Sequence, residues 1–121
     1  MIALLKTIFK IQDEGALTDY LGIKLEHTTN KLIMTQPHLI TILHDLHLDQ
    51  ENVKAKPLPA LSSKLLKADE DGLPFDNSFD YRSVIGKLNF LEKSTRPEIA
   101  YAVHQCARFC ATPKKSHGDA V

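Results

Sequence analysis

Three adjacent acidic residues, Asp69, Glu70 and Asp71, form the densest cluster of carboxylates in the sequence. Paired carboxylates can hold the two metal ions of phosphoryl transfer, provided that ordered elements fix them in place. Gly72 and Pro74 follow directly, and such residues mark turns rather than helices or strands. The pattern therefore predicts a solvated loop, and we assign no catalytic residue and no metal ligand to this chain.

The cysteines Cys106 and Cys110 lie near His104 and His117 in a spacing that a zinc ion could use. The two cysteines are also four residues apart on an apolar helical stripe, where a free thiol fills space as a small apolar side chain. The sequence favours this structural role over a metal site. Two cysteines do not make a disulfide framework either, so reduced thiols in an intracellular protein are expected.

The cations are unevenly distributed along a chain whose formal net charge is zero. Residues 1–80 hold 8 Lys or Arg against 12 Asp or Glu, whereas residues 81–121 hold 7 against 3. A basic segment can bind a nucleic-acid backbone, because each cation near a phosphate releases a counterion. The alternative is an ordinary solvated helical face, and for Arg96 it is an ion pair with Glu92 or Glu98. The candidate phosphate contacts are Arg82, Lys87, Arg96, Arg108, Lys114 and Lys115.

The first part of the chain is predicted to contain a helix, a β-hairpin and a second helix. Apolar residues at helical spacing indicate a helix over 1–11. Alternation over Tyr20–His27, a turn and a short apolar run at Lys31–Thr35 predict two antiparallel strands. Pro37 suits the first turn of a helix, which should end near Asp49. A lone hairpin is marginal in water, so it must pack on another element.

The second part is predicted to be helical after an irregular connector at about residues 50–77. A helix from Ser78 to about Lys93 should bury Tyr81, Val84, Ile85, Leu88 and Leu91. Thr95 and Glu98 have the spacing of a capping box for a third helix. That helix should turn Ile99, Ala102, Val103, Cys106 and Cys110 inward, and another helix should start at Thr112-Pro113. The predicted fold class is α+β, with one unit at 1–36 and another at 37–121. No apolar stretch is long enough to cross a membrane.

Several of these segments resemble copia-type retrotransposon reverse transcriptases, in order and over essentially the whole chain. The most specific are YRSVIGKLNFL at 81–91 and TRPEIAYAV at 95–103. The strand segment YLGIKLE at 20–26, LIMTQ at 32–36, PLP at 57–59 and PKKSH at 113–117 add to the resemblance. The sequence departs from the family pattern at Gly118, where a Trp is usual, and also at Asp19 and Ala16. The missing Trp is expected to remove a large apolar anchor, which costs roughly 3–5 kcal/mol in a core.

The resemblance implies that the chain is the end of the palm and the thumb of an RNA-directed DNA polymerase. The family's catalytic carboxylates lie in a Tyr-x-Asp-Asp hairpin, and the sequence contains no such motif. We therefore expect Mg²⁺ and deoxynucleotides to be used by the intact parent enzyme, and this chain alone not to be catalytic or to hold a cofactor. Its apolar start without a helix cap, together with a helix start close to residue 121, predicts a fragment cut inside helices.

The resemblance also assigns roles to residues. Tyr20, Leu21, Gly22, Ile23 and Lys24 would form the primer grip, which holds the primer end at the incoming nucleotide, and Tyr20 would either stack on the substrate or lie in the core. The helices would form the thumb along the template–primer duplex. The implied partners are an RNA–DNA or DNA duplex and the remaining reverse transcriptase and ribonuclease H regions, without a membrane. The implied location is a cytoplasmic particle or the nucleus.

Two alternatives to a duplex-gripping fragment remain open. The chain could be an inactive retroelement remnant or a helical module that binds another protein without nucleic acid. Its C-terminal part could instead belong to the connection that precedes the ribonuclease H domain. Salt-sensitive binding to an RNA–DNA hybrid distinguishes the gripping function from the remnant.

Overall fold

The computed structural model describes residues 2–12, 15–44 and 65–121, which contain an antiparallel sheet and several helices. The predicted helix end near Asp49 and the predicted connector as far as residue 64 lie outside these ranges. None of the described helices is long and apolar enough to span a membrane. In chain order the elements are α1 (Ile2–Ile8), β1 (Asp19–Tyr20), β2 (Ile23–Thr28), β3 (Lys31–Thr35), α2 (Pro37–His44), α3 (Tyr81–Ser94), a 3-10 turn (Pro97–Ile99), α4 (Ala100–Ala107) and α5 (Lys115–Gly118).

The sheet has the order β1-β2-β3, and both neighbouring pairs are antiparallel. Its β2–β3 part is the predicted hairpin, with Leu25 opposite Met34. The prediction of one continuous strand over Tyr20–His27 is wrong. Leu21 and Gly22 have φ angles of 51° and 77°, so the chain reverses direction at these two residues. Tyr20 therefore lies on a separate strand, β1, and pairs with Ile23 across the turn. Two consecutive left-handed residues are what a tight two-residue hairpin turn requires.

The core of the described residues lies between α3 and α4. Asp80 caps α3, because its carboxylate accepts a hydrogen bond from the Ser83 backbone N–H at 3.0 Å. The predicted stripe is confirmed, since Tyr81, Val84, Ile85 and Leu91 are buried and Leu88 is half-buried. The Tyr81 hydroxyl donates to the backbone carbonyl of Cys106 at 2.9 Å and so ties the two helices together.

The predicted capping box at Thr95 is wrong, because both of its side chains have other partners. The Thr95 hydroxyl donates to the Gln36 side-chain oxygen at 2.8 Å, across the junction between α2 and α3. Glu98 pairs with the Arg96 guanidinium, and no side chain caps the 3-10 turn that Arg96 precedes. Thr95 therefore ends α3 and joins it to Gln36, the residue between β3 and α2, instead of starting the next helix.

The last helices differ from prediction at their ends. Val103 and Cys106 of α4 are buried as expected, but α4 stops at Ala107, so Cys110 lies beyond the helix rather than on its stripe. The helix predicted to start at Thr112-Pro113 is α5, which begins at Lys115. Both shifts shorten the helices, and they make room for a turn that brings the chain back toward the segment before α3.

Candidate nucleic-acid interface

The turn between β1 and β2 presents an apolar, exposed tip. Tyr20 and Leu21 are 60% and 70% exposed, so Tyr20 does not lie in a core of the described residues. A φ of 51° is unfavourable for a leucine, because its Cβ crowds the backbone there. Strained residues concentrate at functional sites, where the surrounding structure maintains them. Nothing lies within 4 Å of where a Cβ of Gly22 would stand, so the tip is open to a ligand.

The two remaining primer-grip candidates lie inside β2 rather than at its tip. Ile23 is half-buried, and it pairs with Tyr20 across the turn. Lys24 is exposed, but its ammonium forms an ion pair with Glu26 at 3.1 Å. A surface pair of this kind contributes about 1 kcal/mol or less, so it leaves Lys24 able to change partner. The structure thus brings all five candidates together, with three of them at the tip.

The exposed side of α3 carries a basic stripe that includes an aromatic ring. Arg82, Gly86, Phe90 and Lys93 are spaced by four, four and three residues, so they share one face of the helix, and all of them are exposed. Phe90 is 43% exposed. Nothing lies within 4 Å of where a Cβ of Gly86 would stand, which shows that packing inside the described residues does not require a glycine.

We call these four residues the α3 stripe. Sequence reasoning identified only Arg82 among them: it followed the buried face of the helix and passed over the cation Lys93. The same helical periodicity that predicts the buried face of α3 also predicts which residues share its exposed face, and these are the residues of the α3 stripe. Lys87, which was also a candidate, is half-buried and five residues from Arg82, so it points to another side of the helix.

The other cationic candidates are spread over the helical part, and they differ in the hydrogen bonds and ion pairs that they form within the chain. The hydrogen bond from Arg96 to Glu98 lowers the pKa of that carboxyl. Arg108 donates to the Gln105 side-chain oxygen at 3.0 Å, and its guanidinium carbon lies 5.3 Å from the centre of the Phe109 ring. Lys115 is exposed near Asp76, whose pKa is lowered mainly by hydrogen bonds from Ser78 and further by this lysine.

Lys114 has a structural role that sets it apart from the other candidates. Its ammonium donates to the carbonyl oxygens of Glu70 and Gly72 at 3.2 and 3.1 Å. The backbone joins the same two segments, since the Lys115 N–H donates to the Leu73 carbonyl at 2.8 Å. We call the paired segments 67–75 and 113–118 the clasp. A lysine that holds the clasp is a weaker candidate for a phosphate contact than the exposed cations.

His117 is the centre of the clasp and is fully buried. Its Nδ1 accepts a hydrogen bond from the Lys114 backbone N–H at 2.9 Å, so the proton lies on Nε2, which donates to the Lys67 carbonyl oxygen at 2.8 Å. The ring also stacks on Phe109, with 4.0 Å between the ring centres. Both nitrogens are thus occupied, and neither is left for the zinc ion that the sequence allowed.

The acidic cluster belongs to the clasp as well. Asp69 accepts a hydrogen bond from the Ser116 hydroxyl at 2.5 Å, and its backbone has a left-handed φ of 53°. Its carbonyl oxygen accepts from the Gly72 N–H at 2.9 Å, which closes the turn. The cluster is therefore a turn that joins two segments, as the predicted loop requires.

Gly118 lets Phe75 cover the end of α5. A Cβ at position 118 would stand 2.3 Å from Cε2 of the Phe75 ring, closer than any carbon–carbon contact allows. Phe75 in turn packs edge-on against Phe79 and Tyr81, with ring centres 4.9 and 5.7 Å away. An aromatic ring from another segment thus occupies the space beside position 118. The expected cost of the missing Trp stays a prediction.

The thiols and the phenol of the core are poor candidates for chemistry. Burial raises the pKa of the Cys106 thiol and of the Tyr81 phenol above their ordinary values. Burial also raises the pKa of Cys110, and nearby Arg82 opposes that shift. Reactive cysteines need a lowered pKa, so these thiols act as packing groups.

The chain is similar over 93% of its length to retrovirus-related Pol polyproteins from plant transposons. It is 30% identical over 119 residues to that of transposon TNT 1-94 from Nicotiana tabacum and 30% identical over 115 residues to that of transposon RE1 from Arabidopsis thaliana. It is 28% identical over 116 residues to that of transposon RE2, also from Arabidopsis thaliana. The chain spans only 8 to 9% of the length of these relatives. No protein-family model and no solved structure matches it. These matches confirm the predicted resemblance at the level of the polyprotein.

Proposed function

We propose that this chain, a relative of the Pol polyproteins of copia-type transposons, is a reverse transcriptase segment that grips the template–primer duplex. The α3 stripe carries the proposal. Arg82 and Lys93 offer positive charge at its two ends, and Phe90 offers an exposed aromatic ring between them. Cations attract phosphates whatever the base sequence, and an aromatic ring can stack on a base or a sugar.

Gly86 is the most informative residue of the stripe. A glycine inside a helix lowers stability by about 1 kcal/mol relative to alanine. In α3 this loss is not offset by close packing, since nothing lies within 4 Å of the position of a Cβ. A position without a side chain on the basic face of a helix allows the backbone of a binding partner to approach the helix closely. A duplex with its regular phosphate backbone is such a partner, and it fits the charge of Arg82 and Lys93.

The exposed tip at Tyr20–Gly22 supports the primer-grip assignment. A Cβ at Gly22 would meet nothing within 4 Å, so a sugar–phosphate chain can approach the backbone there without its bases being read. Tyr20 is exposed enough to stack on a terminal nucleotide. In this function the chain positions the primer, while the intact polyprotein supplies the carboxylates and Mg²⁺ for nucleotide transfer. We place the tip at the end of a palm and the helices in a thumb.

A protein-binding helical module without nucleic-acid affinity is the alternative function. It is favoured by the zero net charge of the chain and by the exposed apolar side chains of the described residues before position 45. The two functions differ in the response to salt. Counterion release makes duplex binding fall steeply as salt rises, whereas an apolar protein contact responds weakly.

The test is binding of the full chain to a labelled RNA–DNA hybrid, measured by fluorescence anisotropy at several salt concentrations. We expect Arg82→Gln and Lys93→Gln each to weaken binding. Each should also reduce the steepness with which the logarithm of the binding constant falls against the logarithm of the salt concentration, by about 0.7 to 0.9. Lys87→Gln is the matched control, because it removes the same charge as Lys93→Gln from another side of α3. Absence of hybrid binding at low salt, or equal losses for all three variants, would contradict the proposal.

A further inference from the structure

A buried carboxylate of α3 is bonded to an exposed imidazole of α4. Glu92 is only 6% exposed, and its Oε1 lies 3.2 Å from Nε2 of His104. The side chain of His104 is 59% exposed. Burying a carboxylate is costly unless a hydrogen-bonded partner compensates for the lost water. His104 is that partner, and the bond holds its imidazole in one place at the surface of the helical part.

The bond to Glu92 determines what each nitrogen of the imidazole can do. An ionised carboxylate accepts hydrogen bonds and does not donate them, so Nε2 of His104 carries a proton and donates it. The other nitrogen, Nδ1, has no hydrogen-bond partner among the described residues. In the neutral imidazole Nδ1 is then an acceptor, whereas in the charged imidazole it is a donor. Protonation therefore converts Nδ1 from a group that repels a phosphate oxygen into one that binds it.

His104 lies next to residues of the proposed duplex interface. Glu92 directly precedes Lys93, the last residue of the α3 stripe, so the bond holds the imidazole beside that end of the stripe. On α4, Tyr101 and Arg108 are three and four residues away from His104. The three residues therefore share a helix face, and all of them are exposed. This face of α4 combines cationic groups with an aromatic ring, as the α3 stripe does.

The elements that pack closely against α4 are α3 and the 3-10 turn. The charged residue of the turn, Glu98, is paired with Arg96. On α4 itself, Arg108 donates to the Gln105 side chain. Besides Glu92, α3 carries three cations, none of which is bonded to His104 in the described structure: Arg82, Lys87 and Lys93. Glu92 is therefore the carboxylate that acts on His104.

We propose that His104 is a pH-dependent phosphate contact for the template–primer duplex, and that Glu92 is the positioning residue that holds its imidazole. This inference rests on the proposed function and extends the duplex interface from α3 to α4. A histidine gains its positive charge as the pH falls from about 8 to about 5. Binding of the duplex should therefore strengthen over this range, and it should become more sensitive to salt because one more cation displaces a counterion.

The test is binding of the full chain to the labelled RNA–DNA hybrid, measured by fluorescence anisotropy at several salt concentrations at about pH 5.5 and about pH 8. At the lower pH we expect tighter binding and a salt dependence that is steeper by about 0.7 to 0.9 on logarithmic axes. His104→Gln should lose this gain and should bind like the unmodified chain at the higher pH. Circular dichroism at both pH values checks that each variant is folded.

His38→Gln is the matched control, because His38 is also an exposed histidine on a helix but lies on α2, outside the helical part. It removes the same titrating group and should keep the gain at low pH. A gain that persists in His104→Gln overturns the proposal. So does an equal loss in the two variants, because the effect would then come from total charge rather than from a contact at His104.

Glu92→Gln tests the positioning role. The amide oxygen still accepts a hydrogen bond from Nε2 of His104, but the negative charge beside the imidazole is gone. The midpoint of the pH dependence of hybrid binding should therefore move to lower pH. A merely structural role for Glu92 would instead lower the affinity equally at every pH, and that result would contradict the assignment.

The same measurements separate this inference from the function on which it rests. Absence of hybrid binding at every pH contradicts the proposed function, and the inference with it. Hybrid binding that Arg82→Gln weakens and His104→Gln leaves unchanged at both pH values overturns the role of His104 alone.

Discussion

The described residues before and after the gap at 45–64 differ in how they bury apolar side chains. Residues 65–121, which we call the helical region, contain all of the buried apolar side chains of the described chain. Residues 2–12 and 15–44, which we call the sheet region, have ordered strands and helices but bury only Gln36. The comparison shows that a region can have regular secondary structure without burying a hydrophobic core. The apolar surface of the sheet region is therefore available for contact with a partner.

The composition of the two regions does not explain the difference. In the sheet region Leu4 and Ile8 of α1 are each 67% exposed, and β3 exposes three apolar residues in a row. In the helical region apolar residues converge between α3 and α4, where Val84, Ile85 and Val103 are buried. The difference is topological, because two crossing helices enclose a volume, whereas a three-stranded sheet has a face that needs a second layer.

The strongest test of the comparison is truncation of Ile85, which is 1% exposed in the core of the helical region. Ile85→Ala should lower the free energy of unfolding by about 2–5 kcal/mol, since it removes buried methyl groups and leaves a cavity. Chemical denaturation followed by circular dichroism measures the loss. Leu73→Ala, at a 70% exposed position, is the control and should change stability by about 0.5 kcal/mol or less.

Similar losses in the two variants would show that the helical region has no core of its own, and the comparison would fail. A large loss for Ile85→Ala alone would show that unfolding is governed by the α3–α4 core.

Gly118 provides a test of intermediate size within the helical region. Gly118→Ala should destabilise the chain by about 1–3 kcal/mol, because the new methyl group overlaps the Phe75 ring. Thermal and denaturant unfolding give the loss. Phe75→Leu alone also lowers stability, but it removes the ring edge that the methyl group meets.

The double variant therefore decides whether the clash is the cause. If it is, the loss from Gly118→Ala is smaller in the Phe75→Leu background than in the unmodified chain. Equal losses in both backgrounds would mean that residue 118 is destabilised by something other than Phe75.

The sequence predicted those helices and strands whose pattern of apolar residues is local. The buried stripe of α3 follows from spacings of three to four residues and the strand Lys31–Thr35 from a short apolar run after a turn, and both are confirmed. The break at Leu21 was missed because leucine is an unusual residue for a left-handed turn, and the alternation of side chains hid it. A Leu-Gly pair between strand-forming residues carries too little local information to place such a turn.

The contacts that join distant segments could not be read from the sequence. The capping-box pattern at Thr95 has the right spacing, but Gln36, 59 residues away, takes the Thr95 hydroxyl. The same holds for His117, whose partner Lys67 is 50 residues away. Local propensity competes with such long-range hydrogen bonds, and only the folded chain shows which partner a side chain has taken.

The smallest effect that we predict has the opposite sign and concerns the exposed side of the core helix. Gly86→Ala should stabilise the chain by about 0.5–1 kcal/mol, because alanine favours the helix and the added Cβ meets nothing within 4 Å. The same change should weaken binding to the RNA–DNA hybrid, since the methyl group holds a phosphate backbone away from α3. Ser83→Ala is the control, because it also favours the helix at an exposed position but adds no atom.

Denaturant unfolding and hybrid anisotropy on the same samples separate the two effects of Gly86→Ala. Higher stability together with weaker binding, seen for Gly86→Ala and not for Ser83→Ala, is the expected pair of results. Higher stability with unchanged binding would show that the α3 stripe is not part of the nucleic-acid interface. The assignment of the α3–α4 core would not be affected. The helical region would then resemble the sheet region in one respect: Phe90, one of its exposed apolar side chains, would be available to a protein partner rather than to a nucleic acid.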